Sequence, residues 1–139
     1  YRLAMPQAMR YQQRRTSFRA RISLARVIPV LLTREDGTTL EGQLFDISVG
    51  GIGTRYKPGK TGDIRQGGIW DECIIHLDGK QEIHSALEVC FIGEDSRSRQ
   101  MRLGGKFLKL ERPQLKIIEN FVAALERDWL KKLRRERGE

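Results

Sequence analysis

The chain has 139 residues, 39% of them apolar and 32% charged, with a formal net charge of +8. That is the size and composition of one globular domain with a modest core, and it excludes collagen-like, low-complexity and disulfide-scaffold chains. No apolar run approaches the roughly 20 residues of a membrane-spanning helix, so an integral membrane protein is not expected.

Residues 1–17 lack clear periodicity and read as a basic arm or linker. Residues 1–26 hold seven arginines and no acidic residue, so this stretch alone carries +7. Choosing arginine every time suits bidentate recognition of phosphate or guanine better than it suits a solubilising tail. Phe18, Ala20, Ile22 and Leu24 then alternate with polar residues, the period of a half-buried strand. The run from Val27 to Thr33 predicts a second strand, with Pro29 at an edge or bulge because it lacks a ladder donor. After an Asp36-Gly37 turn, residues 40–47 predict a strand with Leu40, Gly42, Leu44 and Asp46 on one face. Residues 48–53 read as a tight turn or bulge rich in positive-φ options. Residues 57–68 read as loop, residues 70–77 and 80–92 as a hairpin across Asp78-Gly79, and residues 101–110 as the last strand. Leu115, Ile118, Phe121, Val122, Leu125, Trp129 and Leu133 follow at helical spacing, with Pro113 in the first turn. A helix over about 113–135 is expected to pack on the strands and close their open side. Its basic end, residues 127–139, carries six Lys or Arg against three acids, whereas the middle, 27–126, is near neutral. Six strands at short intervals followed by one helix predict a mainly β fold, an antiparallel barrel or sandwich.

Catalytic and metal chemistry find little support. A two-residue turn at 78–79 sets cross-strand partners that sum to 157, which places Cys73 opposite His84 and His76 opposite Gln81. One Cys and one His do not complete a zinc site, and no third orienting group accompanies them as a nucleophile pair. Gly59-Lys60-Thr61 resembles the end of a phosphate-binding loop, but the required glycine five residues earlier is Thr54. Two cysteines without a signal-peptide pattern are expected to be reduced thiols in a cytoplasmic protein.

Two segments remain. Gln13-Arg14-Arg15-Thr16-Ser17-Phe18-Arg19 is an arginine cluster entering a strand. Asp46-Ile47-Ser48-Val49-Gly50-Gly51 offers a carboxylate, a hydroxyl and a glycine turn with accessible backbone donors. Together they suit a guanine nucleotide. Arginine forks bind phosphates or the O6/N7 edge of guanine, and a carboxylate accepts from the N1–H and N2–H₂ groups.

These segments resemble the two signatures of the PilZ domain, R-x-x-x-R and D/N-x-S-x-x-G, a bacterial receptor domain for cyclic di-GMP. Arg15 and Arg19 match the first, and Asp46, Ser48 and Gly51 match the second. Residues 101–107 resemble the family's last barrel strand, and residues 121–126 resemble the closing helix of its flagellar-brake branch. The resemblance implies a six-stranded antiparallel Greek-key barrel over residues 18–139 with a C-terminal helix. The opening at Tyr1 leads to the expectation of an upstream domain absent from this chain. The resemblance also implies a non-catalytic receptor without a cofactor. Arg15 and Arg19 would hold phosphate and guanine edges, Asp46 would read a guanine, and Ser48 and Gly51 would shape the strand and contact the ligand. Arg14, directly before the motif, resembles members that take two stacked ligand molecules. Gln13, Val49, Gly50 and Lys106 are further candidates. Ligand binding is expected to order the arm and to act on flagellar motor or switch proteins, with recruitment to the flagellar base. The alternatives are a regulator of an exopolysaccharide synthase and a basic β-barrel that binds nucleic acid. Few aromatics and no exposed aromatic platform count against DNA or RNA. Singly, each motif residue also fits a turn cap or a surface charge.

Overall fold

A computed structural model of the chain describes residues 19–23, 25–57, 64–77 and 81–138. Within them lie seven strands and one helix: β1 (Ala20–Arg21), β2 (Pro29–Thr33), β3 (Thr39–Ile47), β4 (Gly51–Tyr56), β5 (Ile69–His76), β6 (Glu82–Glu94), β7 (Met101–Leu108) and α1 (Arg112–Glu136). Every pairing is antiparallel, and the order β3-β2-β5-β6-β7-β4 closes on itself through a β3–β4 pairing. The result is a six-stranded barrel with β1 added outside against the end of β3. Strands β5, β6 and β7 are consecutive neighbours, and β4 lies beside β7 after a long connection, which is a Greek key.

The alternation read in the sequence is the barrel's inside–outside period. Val30, Leu32, Leu44, Ile52, Ile75, Ile83 and Leu87 are almost fully buried and fill the interior. The β-branched ones among them, Val30, Ile52, Ile75 and Ile83, suit a pleated wall packed from one side. Among the described residues of the first strand's pattern, only Ala20 and Arg21 pair with β3, opposite Ile47 and Asp46, before β2 takes over that edge. Pro29 sits at neither a sheet edge nor a bulge. It is the first residue of a strand flanked on both sides, and it faces Gln43 alone, since pairing with β5 begins at Val30. A strand's opening residue tolerates the missing N–H.

The β5–β6 register also differs from expectation. The pairs His76↔Glu82, Ile75↔Ile83, Ile74↔His84 and Cys73↔Ser85 are one residue off the two-residue-turn register. The Leu77 N–H donates to the Gln81 carbonyl at 2.9 Å, which continues the same register. One step of register reverses the faces. Cys73 therefore points into the core and His84 outward, where it meets Glu82 at 3.1 Å, and the proposed Cys73–His84 proximity does not exist. Both cysteines are free.

Helix α1 packs on β1 and β6 through its first half, where Ile118 and Val122 are buried and Leu125 is half-buried. Its start is anchored by Gln114, whose side-chain oxygen accepts the His84 N–H at 2.7 Å. The expected packing holds there. Farther on, Trp129 is 53% exposed, so the apolar stripe outruns the barrel wall. No helix among the described residues is long and apolar enough to cross a membrane.

Burial pushes the Cys73 thiol from 9.0 up to about 12, and it raises the Tyr56 hydroxyl as well. Both groups stay neutral in the fold while the unfolded chain ionises them, so stability is full below pH 9 and is lost as pH climbs toward 12. Urea midpoints should therefore fall between pH 8.5 and about 11. At pH 8 a disulfide reagent should titrate one thiol per native chain, that of exposed Cys90, and reach Cys73 only on unfolding. Rapid reaction of both thiols would contradict this packing.

Candidate ligand-binding cleft

The cleft begins with a break in the strand alternation. Leu44 pairs with Thr54, but Asp46 pairs with Gly53, so Phe45 is an extra residue in β3. Such a bulge re-aims the residues that follow it. Ile47 remains in the core, while the Asp46 carboxylate turns toward the outer wall beside β4. Its room there comes from Gly53. A Cβ at that position would stand 2.5 Å from Asp46 Oδ1. The next strand continues the gap, because Gly53 faces Gly104 of β7. Two facing glycines leave a floor of bare backbone, a common site for close approach by a ligand. A second irregularity, between Val89 and Phe91 in β6, places Cys90 and Phe91 on the far rim.

At the near rim Arg19 Nη1 donates to Asp46 Oδ1 at 2.7 Å. The arginine side chain is 49% exposed and the carboxylate 13%, so the pair spans the boundary between barrel and solvent. Pairing of this kind stabilises by about 1 kcal/mol or less once screening is counted. It aligns the guanidinium rather than holding the fold. Both β1 and the bulge are required for it: Arg21 pairs with Asp46 along the ladder, which brings the neighbouring Arg19 over the carboxylate.

Ser48 shapes the β3–β4 turn. Its Oγ accepts the N–H groups of Gly50 at 3.2 Å and Gly51 at 3.3 Å, while its own N–H donates to the Gly51 carbonyl at 2.9 Å. At 2% exposure the hydroxyl is consumed by the turn. None of Gly50, Gly51 and Gly53 has a positive φ, contrary to the expectation for this segment. The glycines answer a need for space instead, since a Cβ at Gly51 would collide with the Gly105 carbonyl of β7.

These features enclose an open cleft of about 430 Å³ lined by Arg19, Asp46, Ser48, Gly50, Gly51 and Lys106 among the expected residues. Val49 is not part of its wall, because it packs against the core. Gln13, Arg14 and Arg15 lie outside the described residues, as does Gly59-Lys60-Thr61. Gly53, Cys90, Phe91, Arg102 and Gly104 also line the cleft and were not singled out as site residues. The adjacent glycines 104 and 105 inside a strand were the available signal. Phe91 and Arg102 had none, because their neighbours are set by register. Among the described residues no group of three or more His, Cys, Asp or Glu is placed to hold a metal ion.

Gly51→Ala should cost about 1–3 kcal/mol in urea unfolding, because the new methyl meets backbone rather than a movable side chain. Asp46→Ala should cost less than about 1 kcal/mol. Equal losses would mean that the Asp46–Arg19 pair carries the fold.

The family model described as PilZ domain matches residues 13–124. A curated relative, the flagellar brake protein YcgR 1 of Dechloromonas aromatica (strain RCB), is 28% identical over 132 residues, which covers 90% of this chain and 50% of that protein. The chain spans half the length or less of the curated relatives it matches. Among solved structures, the PilZ domain with c-di-GMP of YcgR from Escherichia coli superposes with a TM-score of 0.68 at 23% identity, covering 87% of this chain and 98% of that one. The MrkH–c-di-GMP complex of K. pneumonia superposes with a TM-score of 0.71 at 18% identity, covering 84% of this chain and 53% of that one.

Proposed function

The chain belongs to the PilZ domain family, and from that premise we propose that it is a non-catalytic receptor for cyclic di-GMP. One observation carries the reading: Arg19 from the first signature and Asp46, Ser48 and Gly51 from the second converge on one cleft. The relatives that bind the same nucleotide by name share the barrel that builds this cleft.

Each residue has a chemical task. Asp46 accepts from the N1–H and N2–H₂ edge of a guanine, an acceptor demand that no other common base matches. Arg19, already aligned by Asp46, presents its remaining N–H groups to phosphate or to the guanine O6/N7 edge. Ser48 keeps the turn narrow, and the Gly53–Gly104 floor lets the flat ligand approach the backbone. Arg14 and Arg15 supply further forks from the arm, Gln13 a hydrogen-bonding amide, and Lys106 a positive charge at the rim. Ligand phosphates neutralise an arm that has no acidic residue of its own and gather it onto the barrel. This is a population shift driven by preference for the ordered state. Arg14 favours a ligand of two stacked molecules per site.

The likeness to flagellar brake relatives favours the flagellar motor as the partner, over a polysaccharide synthase or nucleic acid. Because the chain spans only half of that relative, the fold alone does not select among these partners.

Calorimetric titration should show tight binding of cyclic di-GMP, two molecules per chain, and none of GTP or cyclic di-AMP. Arg15→Ala and Asp46→Ala should each weaken binding at least tenfold with the thermal midpoint little changed. Equal affinity for cyclic di-AMP would remove Asp46 as the guanine reader, and one molecule per chain would overturn the stacked ligand. In cells with raised cyclic di-GMP, joint replacement of Arg15 and Arg19 should restore swimming speed; unchanged speed would sink the motor reading.

A further inference from the structure

Phe45, the bulged residue, is ringed by three guanidinium groups. Arg102 lies 3.8 Å from the ring centroid, Arg21 4.8 Å and Arg55 5.4 Å. They come from three strands, β7, β1 and β4, and meet because Arg55 pairs with Arg102 across the barrel wall. Among the described residues none of the three has a carboxylate within ion-pair distance. Asp95, near enough to feel Arg102, uses its Oδ1 instead to accept the N–H groups of Arg97 at 2.8 Å and Ser98 at 3.4 Å. The Arg55 Nε is buried and has no acceptor.

Three like charges around one ring repel one another. The ring's negative face offsets part of that cost, and no carboxylate among the described residues takes up the guanidinium donors, which suit a planar anion. Such an assembly lacks only an anion. Arg102 also lines the cleft that holds Arg19 and Asp46, so the cluster continues the cleft wall.

We propose that Phe45 and the arginines 21, 55 and 102 form a phosphodiester-binding subsite that takes a ligand phosphate the signature arginines leave uncovered. This rests on the cyclic dinucleotide reading. Each molecule of such a ligand carries two phosphodiesters on opposite sides of its ring, so a stacked pair presents more phosphate than one arginine cluster covers. The signature arginines take the near side, and Arg102, backed by Arg21 and Arg55, takes a phosphate on the far side. Phe45 acts as a positioning residue that keeps Arg102 flat against the wall.

The test is titration of the chain with cyclic di-GMP, read by calorimetry and by the Nε–Hε resonances of the arginines. Binding should shift the Arg102 and Arg55 resonances, and Arg102→Ala should weaken affinity about tenfold to a hundredfold with a shallower salt dependence. Phe45→Leu should weaken it several-fold and Phe45→Trp restore it, a rescue that loss of packing alone does not produce. Arg102→Gln guards against a folding defect. Affinity of Arg102→Ala and Arg102→Gln within twofold of wild type, with unmoved resonances, overturns the subsite while the receptor reading stands. If the wild type binds no cyclic di-GMP, the receptor reading fails, and pyrophosphate then decides the subsite. Shifts at residues 21, 55 and 102 that vanish in Phe45→Leu support it, and none overturns it.

Discussion

An acidic side chain stands in the wall of this barrel because the β4 residue opposite it carries no side chain. Asp46 reaches the outer surface through the bulge at Phe45, and it finds space because Gly53 lies opposite. Remove the bulge and the alternation turns the carboxylate toward the apolar interior, where an unpaired charge costs several kcal/mol. Fill Gly53 and the carboxylate loses its place beside Arg19. The cleft floor, the near rim and the orientation of Arg19 all follow from that one local break in period.

The bulged residue itself stays on the outer face. Phe45 follows the inward-facing Leu44, and β1, β4 and β7 each contribute an arginine around its ring. Charges on the cleft side are thus of two kinds. Arg19 is neutralised by Asp46. The ring-stacked arginines are not neutralised by any carboxylate of the described residues. A barrel with a near-neutral middle sequence concentrates its positive potential at one wall by cross-strand pairing, and a low-dielectric wall sharpens that field.

The residues that hold the fold and those that line the cleft fall largely in different layers. The interior of branched residues and the first half of α1 hold the barrel together. The cleft residues contribute little to that, apart from Gly51, whose missing side chain lets β4 approach β7. Ser48 belongs between the two layers, since its hydroxyl ties the turn that delivers both Asp46 and Gly51. A cleft separated in this way can change its arginines without unmaking the fold.

Much was legible in the residues themselves. Alternation marked the strands, helical spacing marked α1 to within a residue of both ends, and the paired signatures pointed to Arg19, Asp46, Ser48 and Gly51 before any contact was known. These features are local, and a short window of chemistry determines them. Register is not local. Which residues of β5 and β6 face one another depends on which pairing buries Cys73 and Ile75, so His84 shares no face with Cys73. The roles of Phe91, Arg102 and Phe45 likewise needed closure of the barrel, which brings β1, β4, β6 and β7 together from distant parts of the chain. The amino-acid sequence by itself determined the elements and the motif residues. Only the tertiary structure decided their neighbours, because strand partners are chosen by the burial of the whole core and not by any segment alone.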